Sequence, residues 1–351
     1  MKILLTAINA KYIHSNLAVY SLKAAAGVFG EQVEIGEYTI NQKTEQILKD
    51  IYRRQPDVVA FSCYIWNRRM VEELIRELPK VLPGVRLWAG GPEVTYDARA
   101  FLEACPKAAG VMRGEGEETF CRLAAYYIEG ECLLSGIRGL TYRGEDGQIH
   151  ETEEREPADM DRLLFALENP ERFTNRIVYY ESSRGCPFRC SYCLSSVERQ
   201  VRFRSMELVE KELLFFLKAQ VPQVKFVDRT FNLDPGRTAR LWQWLLEHDN
   251  GITNFHFEIG ADLLTEEELA IMSRMRPGLI QLEIGVQSTN GDTIRGIDRT
   301  MDLERLKAAV RRIKGFHNIH QHLDLIAGLP FEDLKSFRRS FDEVYELEPE
   351  Q

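Results

Sequence analysis

Hydrophobic and polar residues alternate along the first 150 residues in a pattern typical of repeated strand and helix units. Short apolar runs with the length and composition of buried strands occupy residues 2–9, 32–40, 57–64, 85–91 and 109–116. Apolar residues recur three and four positions apart, as in core-facing helices, over residues 15–29, 42–55, 67–82, 96–105 and 116–130. The pattern predicts an α/β domain with a doubly wound parallel sheet, closed near residue 150 by a hairpin whose turn is Gly144–Gly147.

The same alternation resumes after residue 176. Predicted strands cover residues 177–183, 224–232, 255–261, 279–286 and 320–328, and predicted helices lie around 206–219, 236–248, 265–275, 302–314 and 333–347. Between the two regions, residues 151–176 mix charge runs with Pro157 and Pro170 and show little periodicity. We therefore predict two domains, residues 1–150 and 177–351, joined by a linker over 151–176.

The amino-acid composition limits the partners and the cellular location that we expect for this protein. The 351 residues are 44% hydrophobic and 28% charged, with a net charge of −9, so bulk nucleic acid is not an expected partner. No run of 18 apolar residues occurs, and the N-terminus has no signal-peptide pattern. We expect a cytoplasmic protein without a membrane segment.

Three of the seven cysteines are candidate ligands for a metal or an iron–sulfur cluster. Cys186, Cys190 and Cys193 follow the first predicted strand of the second domain. Structural zinc and 2Fe–2S sites require a fourth ligand, and no further Cys or His lies nearby. Three thiolates suit a 4Fe–4S cubane with one iron open to a small molecule, although a partial zinc site or three unrelated thiols would give the same spacing.

The CxxxCxxC spacing, with Tyr192 before the last cysteine, resembles the radical S-adenosylmethionine (SAM) superfamily. The resemblance implies a partial (β/α)6 TIM-type barrel in which the three cysteines hold the 4Fe–4S cluster. It also implies that SAM binds the open iron and is cleaved by one electron to a 5′-deoxyadenosyl radical. The aromatic ring of Tyr192 would lie near the adenine.

Later segments extend this resemblance over residues 177–351. By analogy, Asp228 and Asn232 would border the methionyl amine, Glu258 would belong to the third-strand motif and Gln287, in Leu282–Ser288, would bind the ribose. Asp324 begins a DLIxGLPxE-like segment whose backbone would flank the adenine. We predict all five, with Tyr192, as SAM-binding residues.

Two features depart from the family pattern. Gly260 stands where related proteins often carry an arginine, which leaves a carboxylate-binding group at that point in doubt. The pattern also stops after the fifth of the barrel's six units, so we expect the chain to be a fragment whose missing strand would leave a sheet edge exposed.

Small residues follow the predicted strands of the first domain, where open parallel sheets bind ligands. Ser62 follows the third strand, Gly90 and Gly91 the fourth, and Gly114 and Gly116 the fifth. These positions resemble the Rossmann-like cobalamin-binding domain that precedes many radical SAM enzymes, in which such residues line the groove for the nucleotide tail. The DxHxxG motif is missing, so we expect any cobalt to be free of a protein imidazole; a flavodoxin-like domain without a cofactor is the alternative.

The remaining cysteines, Cys63, Cys105, Cys121 and Cys132, lack the spacing of a second cluster. Cys121 and Cys132 flank a predicted helix and are interpreted as small buried apolar residues. The sequence thus predicts a radical SAM enzyme with a 4Fe–4S cluster, SAM and cobalamin, and a methyltransferase reaction on an unknown small molecule. A reductant such as flavodoxin or ferredoxin would supply electrons. The alternatives are a cobalamin-free radical SAM enzyme and a non-enzymatic, zinc-stabilised interaction module.

Overall fold

The chain forms two compact units, residues 1–169 and 170–351, in a computed structural model that describes residues 1–130, 132–167, 173 and 176–351. The predicted boundary near residue 150 and the predicted linker stay predictions. Within that linker, residues 168–172 and 174–175 lie outside the described residues.

A mostly parallel sheet forms the centre of the first unit. Its strands in the described part of that unit are β1 (Ile3–Asn9), β2 (Val33–Thr39), β3 (Val58–Ser62), β4 (Arg86–Gly90), β5 (Gly110–Met112), β6 (Leu140–Arg143) and β7 (Ile149–Glu151). The order β2-β1-β3-β4-β5-β6-β7 reverses direction after β1, as a doubly wound sheet does. The predicted hairpin is confirmed, because β6 and β7 pair antiparallel.

Amphipathic helices connect these strands. They are α1 (Leu17–Ala25), α2 (Thr44–Arg54), α3 (Arg68–Val81), α4 (Pro92–Thr95), α5 (Ala98–Ala104) and α6 (Glu117–Ile128). In α3, Val71, Leu74 and Leu78 recur along one face and are fully buried. They belong to a core cluster that also includes Val59 and Phe61 of β3, so the helical spacing read from the sequence matches the packing of the helix on the sheet.

The second unit contains a parallel sheet and a small antiparallel pair. Its strands over residues 176–351 are β8 (Val178–Tyr180), β9 (Ser183–Arg184), β10 (Arg202–Phe203), β11 (Gln223–Phe226), β12 (Asn254–Ile259), β13 (Ile280–Gln287) and β14 (His320–Leu325). The parallel sheet has the order β14-β13-β12-β11-β8, and β9 pairs with β10. Its helices are α7 (Met206–Lys218), α8 (Pro235–His248), α9 (Glu266–Met272), α10 (Gly291–Gly296), α11 (Leu303–Lys314) and α12 (Leu334–Tyr345).

The two faces of the second sheet differ in polarity. Along β13, Leu282, Ile284 and Val286 are fully buried, whereas the residues between them are only partly buried. Side chains alternate between faces along a strand, so Glu283 and Gln287 share the opposite face. We call this the polar face, and we call the end of the sheet where its parallel strands finish the carboxyl edge.

The edge strand β14 has one further backbone neighbour. Gln351 donates to the Gln321 carbonyl oxygen at 3.2 Å and accepts from the Leu323 amide at 3.0 Å, the bonding pattern of a parallel neighbour. The predicted shortening of a six-unit barrel stays a prediction. Each helix in the described residues is too short or too polar to cross a lipid bilayer.

Candidate functional site

The three predicted ligand cysteines lie on one closed loop after β8. The β9–β10 pair joins the two ends of this loop, and the Cys186 amide donates to the Glu198 carbonyl oxygen at 2.9 Å. Gly185 has a φ of +93°, and a Cβ there would overlap the Gln200 carbonyl oxygen. The closure therefore requires glycine at position 185, immediately before the first cysteine.

The thiols of this cysteine loop (residues 185–201) fit the donor set of a cluster. Cys186 and Cys190 are buried, Cys193 is partly exposed, and all three thiols are free. Among the described residues, no three His, Cys, Asp or Glu side chains are arranged to hold a single metal ion. In a cubane each cysteine binds a different iron, so three thiolates surround the cluster, leave one iron open and do not meet at one point.

Asp228 supports the base of the cysteine loop. It is 1% exposed and accepts hydrogen bonds from the Ser182 amide (2.9 Å), the Ser182 hydroxyl (2.7 Å) and the Ser183 hydroxyl (2.6 Å). Burial raises the pKa of Asp228, and the serine hydrogen bonds oppose that rise. Contact with SAM stays a prediction, but this position favours a role in holding the loop.

Asn232 joins the ends of two neighbouring strands. Its side chain donates to the Gly260 carbonyl oxygen and accepts from the Gly260 amide, both at 2.9 Å. Asn232 is 1% exposed, so this two-point contact ties the loop after β11 to the end of β12. The predicted contact with the methionyl amine is untested.

Arg299 is a site residue that the sequence did not reveal. Its guanidinium donates to the Tyr192 hydroxyl at 3.2 Å and to Cys190 Sγ at 3.8 Å, and it also contacts the Gly285 carbonyl oxygen. Burial raises the pKa of Tyr192 to about 12, while the nearby Arg299 charge opposes the rise. Gly260 has no charged side chain. The positive charge at the cysteine loop comes instead from Arg299, in the segment between α10 and α11.

Gln287 ends β13 in an unusual conformation. Its φ is +69°, which is uncommon for a residue with a side chain, and the β13–β14 register shifts between Gly285 and Gln287. Its buried Oε1 has no hydrogen-bond partner within the described residues. A strained residue with an unsatisfied polar atom is typical of a binding site, which agrees with the predicted ribose contact.

Glu258 takes part in an ion-pair network on the polar face. Glu283 Oε2 lies 2.7 Å from Lys225 Nζ and 3.0 Å from His256 Nε2, and Lys225 also lies 3.6 Å from Glu258. The close contact with His256, together with Lys225, lowers the pKa of Glu283 to about 2. Burial raises the pKa of Glu258, and the Lys225 charge opposes that rise.

Asp324 lies at the β14 side of the polar face. Its Oδ1 is 3.1 Å from His322 Nε2. Burial raises the pKa of Asp324, and the pairing with His322 opposes this. Lys225, His256 and His322 were not singled out from the sequence, because single charged residues within strands carry no motif. Direct SAM binding by Glu258 and Asp324 stays a prediction.

In the first unit, the five residues predicted to bind cobalamin line one groove. The groove lies at the carboxyl ends of β3, β4 and β5 and is lined by Ser62, Gly90, Gly91, Gly114 and Gly116, among others. Their convergence agrees with ligand binding outside the carboxyl ends of the strands in an open parallel sheet. Contact of these residues with cobalamin itself is untested.

The groove residues also have structural roles. Gly91 has a φ of +107°, and a Cβ there would lie 2.6 Å from the Cys63 carbonyl oxygen, so packing alone requires this glycine. Gly114 has a φ of +68° with open space around the missing Cβ. Asn16, which the sequence did not single out, donates to the Ser62 hydroxyl at 3.3 Å and thereby orients it.

Comparison with protein families gives two matches along the chain. The model of the B12 binding domain matches residues 3–124. The model of the Radical SAM superfamily matches residues 180–344, a range that contains the cysteine loop, Arg299 and the polar face. Each match falls within one of the two compact units.

Curated relatives include enzymes with different reactions. The cobalamin-dependent radical SAM methyltransferase TokK of Streptomyces tokunonensis is 27% identical over 83% of this chain and 45% of its own length. The anaerobic magnesium-protoporphyrin IX monomethyl ester cyclase of Rubrivivax gelatinosus is 21% identical over 93% of this chain and 60% of its own length. The chain thus spans about half the length of these relatives.

A solved structure shares the fold. The radical SAM methyltransferase TsrM from Kitasatospora setae, determined with cobalamin and a [4Fe–4S] cluster bound, has a TM-score of 0.79 and 18% identity. The match covers 99% of this chain and 71% of that one. It supports the predicted α/β fold class with a Rossmann-like first unit.

Proposed function

We propose that this chain, which matches the models of the B12 binding domain and of the Radical SAM superfamily, cleaves SAM reductively and transfers a methyl group with the help of cobalamin. The substrate is a small molecule that we do not identify. The observation that carries the proposal is the closed loop that holds Cys186, Cys190 and Cys193 and that Arg299 links to β13, the strand that ends at the unsatisfied Gln287. A 4Fe–4S cluster there would supply the electron and the open iron for SAM.

The residues around the cysteine loop have separate tasks in this proposal. Gln287 Oε1 would accept a hydrogen bond from a ribose hydroxyl, because that oxygen lacks a partner among the described residues. The ring of Tyr192 would pack against the adenine. Asp228 and Asn232 would hold the surrounding loops in place through their hydrogen bonds to Ser182, Ser183 and Gly260.

The groove of the first unit would hold the nucleotide tail of cobalamin, which serves as the carrier of the methyl group. Ser62, oriented by Asn16, would donate or accept one hydrogen bond. The absence of side chains at Gly90 and Gly114 would let the tail approach the backbone. Methyl transfer is the proposed reaction because TokK, a relative that matches 83% of this chain, is a cobalamin-dependent radical SAM methyltransferase.

The proposed chemistry requires an electron-donor protein and suits a reducing cellular compartment. Reductive cleavage consumes one electron, so we propose a one-electron donor protein such as a flavodoxin or ferredoxin. Free thiols at all seven cysteines suit a reducing compartment, and we propose the cytoplasm.

Anaerobic reconstitution with iron, sulfide and hydroxocobalamin tests the function. We expect about four irons per chain, bound corrinoid, and 5′-deoxyadenosine when dithionite and SAM are added. Cys193→Ala should lose iron and 5′-deoxyadenosine, while Cys121→Ala, outside the loop, should retain both. One zinc per chain without iron would overturn the proposal. Iron and 5′-deoxyadenosine without corrinoid would leave a cobalamin-free radical enzyme.

A further inference from the structure

The cysteine loop is tied to the segment between α10 and α11 by three separate contacts. The Ser191 amide donates to the Ile297 carbonyl oxygen at 2.9 Å. Arg189 forms an ion pair with Asp298 at 3.3 Å. The Arg299 guanidinium donates to Tyr192 and Cys190. Residues 189–192 and 297–299 are therefore held in a fixed register, which sets where the Arg299 side chain can reach.

The position of the Arg299 guanidinium is determined at several points. The Arg299 amide donates to the Ile294 carbonyl oxygen at 3.1 Å, which closes the turn after α10. One terminal nitrogen lies against the Gly285 carbonyl oxygen of β13, and the other lies between Tyr192 Oη and Cys190 Sγ. Contacts on both sides orient the planar group, so its proximity to Cys190 does not depend on a free rotamer.

The partner of this cation is a buried thiol. Cys190 is 7% exposed, and the Sγ to Nη1 distance is 3.8 Å. A positive charge close to a buried group is screened far less than one at the surface. Hydrogen bonds to the cysteine sulfurs are among the factors that set the reduction potential of iron–sulfur clusters.

We propose that Arg299 raises the reduction potential of the cluster by donating a charge-assisted hydrogen bond to the Cys190 thiolate. Reduction adds one negative charge to the cluster and its ligands. A fixed cation at one ligand stabilises the reduced state more than the oxidised state, so a donor can deliver the electron more easily. This role rests on the proposed function, because it requires a cluster on Cys190, and Arg299 acts through that ligand.

Redox titration followed by electron paramagnetic resonance tests this role without turnover. The parent protein and Arg299→Gln are reconstituted anaerobically and titrated without SAM. We expect the Gln variant to have a lower potential, with at least a tenfold smaller equilibrium constant for reduction, or about 59 mV for one electron. Arg299→Lys, which keeps the charge but lacks the planar fork, should fall between them. Arg295→Gln, at an exposed arginine of α10 paired with Asp292, is the matched control and should match the parent.

A second measurement compares the parent protein with Arg299→Lys, so it decides the matter even if the Gln variant takes up no cluster. Protein labelled with 15N in the arginine guanidinium should show hyperfine coupling between that nitrogen and the reduced cluster, and Arg299→Lys should remove it. A cluster that forms with no coupling, or with unchanged potential in Arg299→Gln, would overturn the role of Arg299 and leave the proposed function standing. Failure of the parent protein to bind iron would instead overturn the proposed function.

Discussion

Gly185 in the cysteine loop and Gln287 at the end of β13 both have a positive φ. The backbone of Gly185 has a positive φ and also passes close to the Gln200 carbonyl oxygen. Gln287 has a positive φ although it carries a side chain. The first is a requirement of loop closure. The second keeps an unsatisfied side-chain oxygen at the carboxyl edge, which is a typical arrangement for a ligand contact.

Replacing Gly185 should therefore damage the cysteine loop. We expect Gly185→Ala to lose most of its iron after reconstitution, because the methyl group would push the backbone at Gln200 away and the positive φ alone costs about 1 to 2 kcal/mol. Iron per chain is the measurement. Gly236→Ala is the matched control, since a Cβ in α8 would meet nothing closer than Asp234 Oδ1 at 3.5 Å. Full iron in Gly185→Ala would refute the argument.

At the scale of elements, ion pairs join the strands across the polar face. Lys225 of β11 and His256 of β12 both contact Glu283 of β13. These contacts lower the pKa of Glu283 from an ordinary value of 4.5 to about 2. A carboxylate with a lowered pKa stabilises the fold above its unfolded pKa and loses that contribution as the pH falls toward its folded pKa.

The stability of the β11–β13 region should depend on pH accordingly. This contribution to stability is present above about pH 4.5 and disappears as the pH approaches 2. We expect Glu283→Gln to lower hydrogen-exchange protection of β11–β13 at pH 7 and to approach the parent at pH 3, after correction for intrinsic rates. Glu258→Gln is the control, because the pKa of Glu258 is shifted in the opposite direction from that of Glu283. Burial raises the pKa of Glu258, so a neutral side chain at this position should not destabilise the strands at pH 7. Equal protection of the parent and Glu283→Gln at pH 7 would contradict the assignment.

At the scale of the whole molecule, the two candidate sites are built from separate parts of the chain. The groove is lined by residues of the first unit, and the cysteine loop belongs to the second. Each domain family also matches within one unit. Loss of one cofactor should therefore be separable from loss of the other.

A bulky residue in the groove should remove only the corrinoid. Ala18 of α1 is exposed and lines the groove, so Ala18→Phe should fill space without disturbing the core. We expect a large fall in bound corrinoid per chain with unchanged iron and unchanged dithionite-driven 5′-deoxyadenosine. Ala308→Phe, at an exposed alanine of α11, is the control. A variant that binds as much corrinoid as the parent would show that cobalamin does not use this groove.

Much of the fold could be predicted because its signals are local. The apolar runs correctly identified strands such as β3 and β13, and the spacing of Val71, Leu74 and Leu78 correctly identified α3. The short elements α4, α10 and the β9–β10 pair were not predicted, because each is too short to repeat the helical or strand period along the sequence. The groove residues could be predicted from the sequence as one set, because the carboxyl ends of parallel strands lie at the same edge of a sheet.

The sequence by itself determined the order of strands and helices, the three neighbouring cysteines and the small residues after β3, β4 and β5, because each is a feature of contiguous residues. Only the tertiary structure decided that Arg299 reaches Cys190 across 109 positions, that Lys225 meets Glu283, and that Asp228 is enclosed by Ser182 and Ser183. Those contacts depend on the register between strands and on how loops close. Register and loop closure follow from the packing of the whole unit, and no local pattern of residues specifies them.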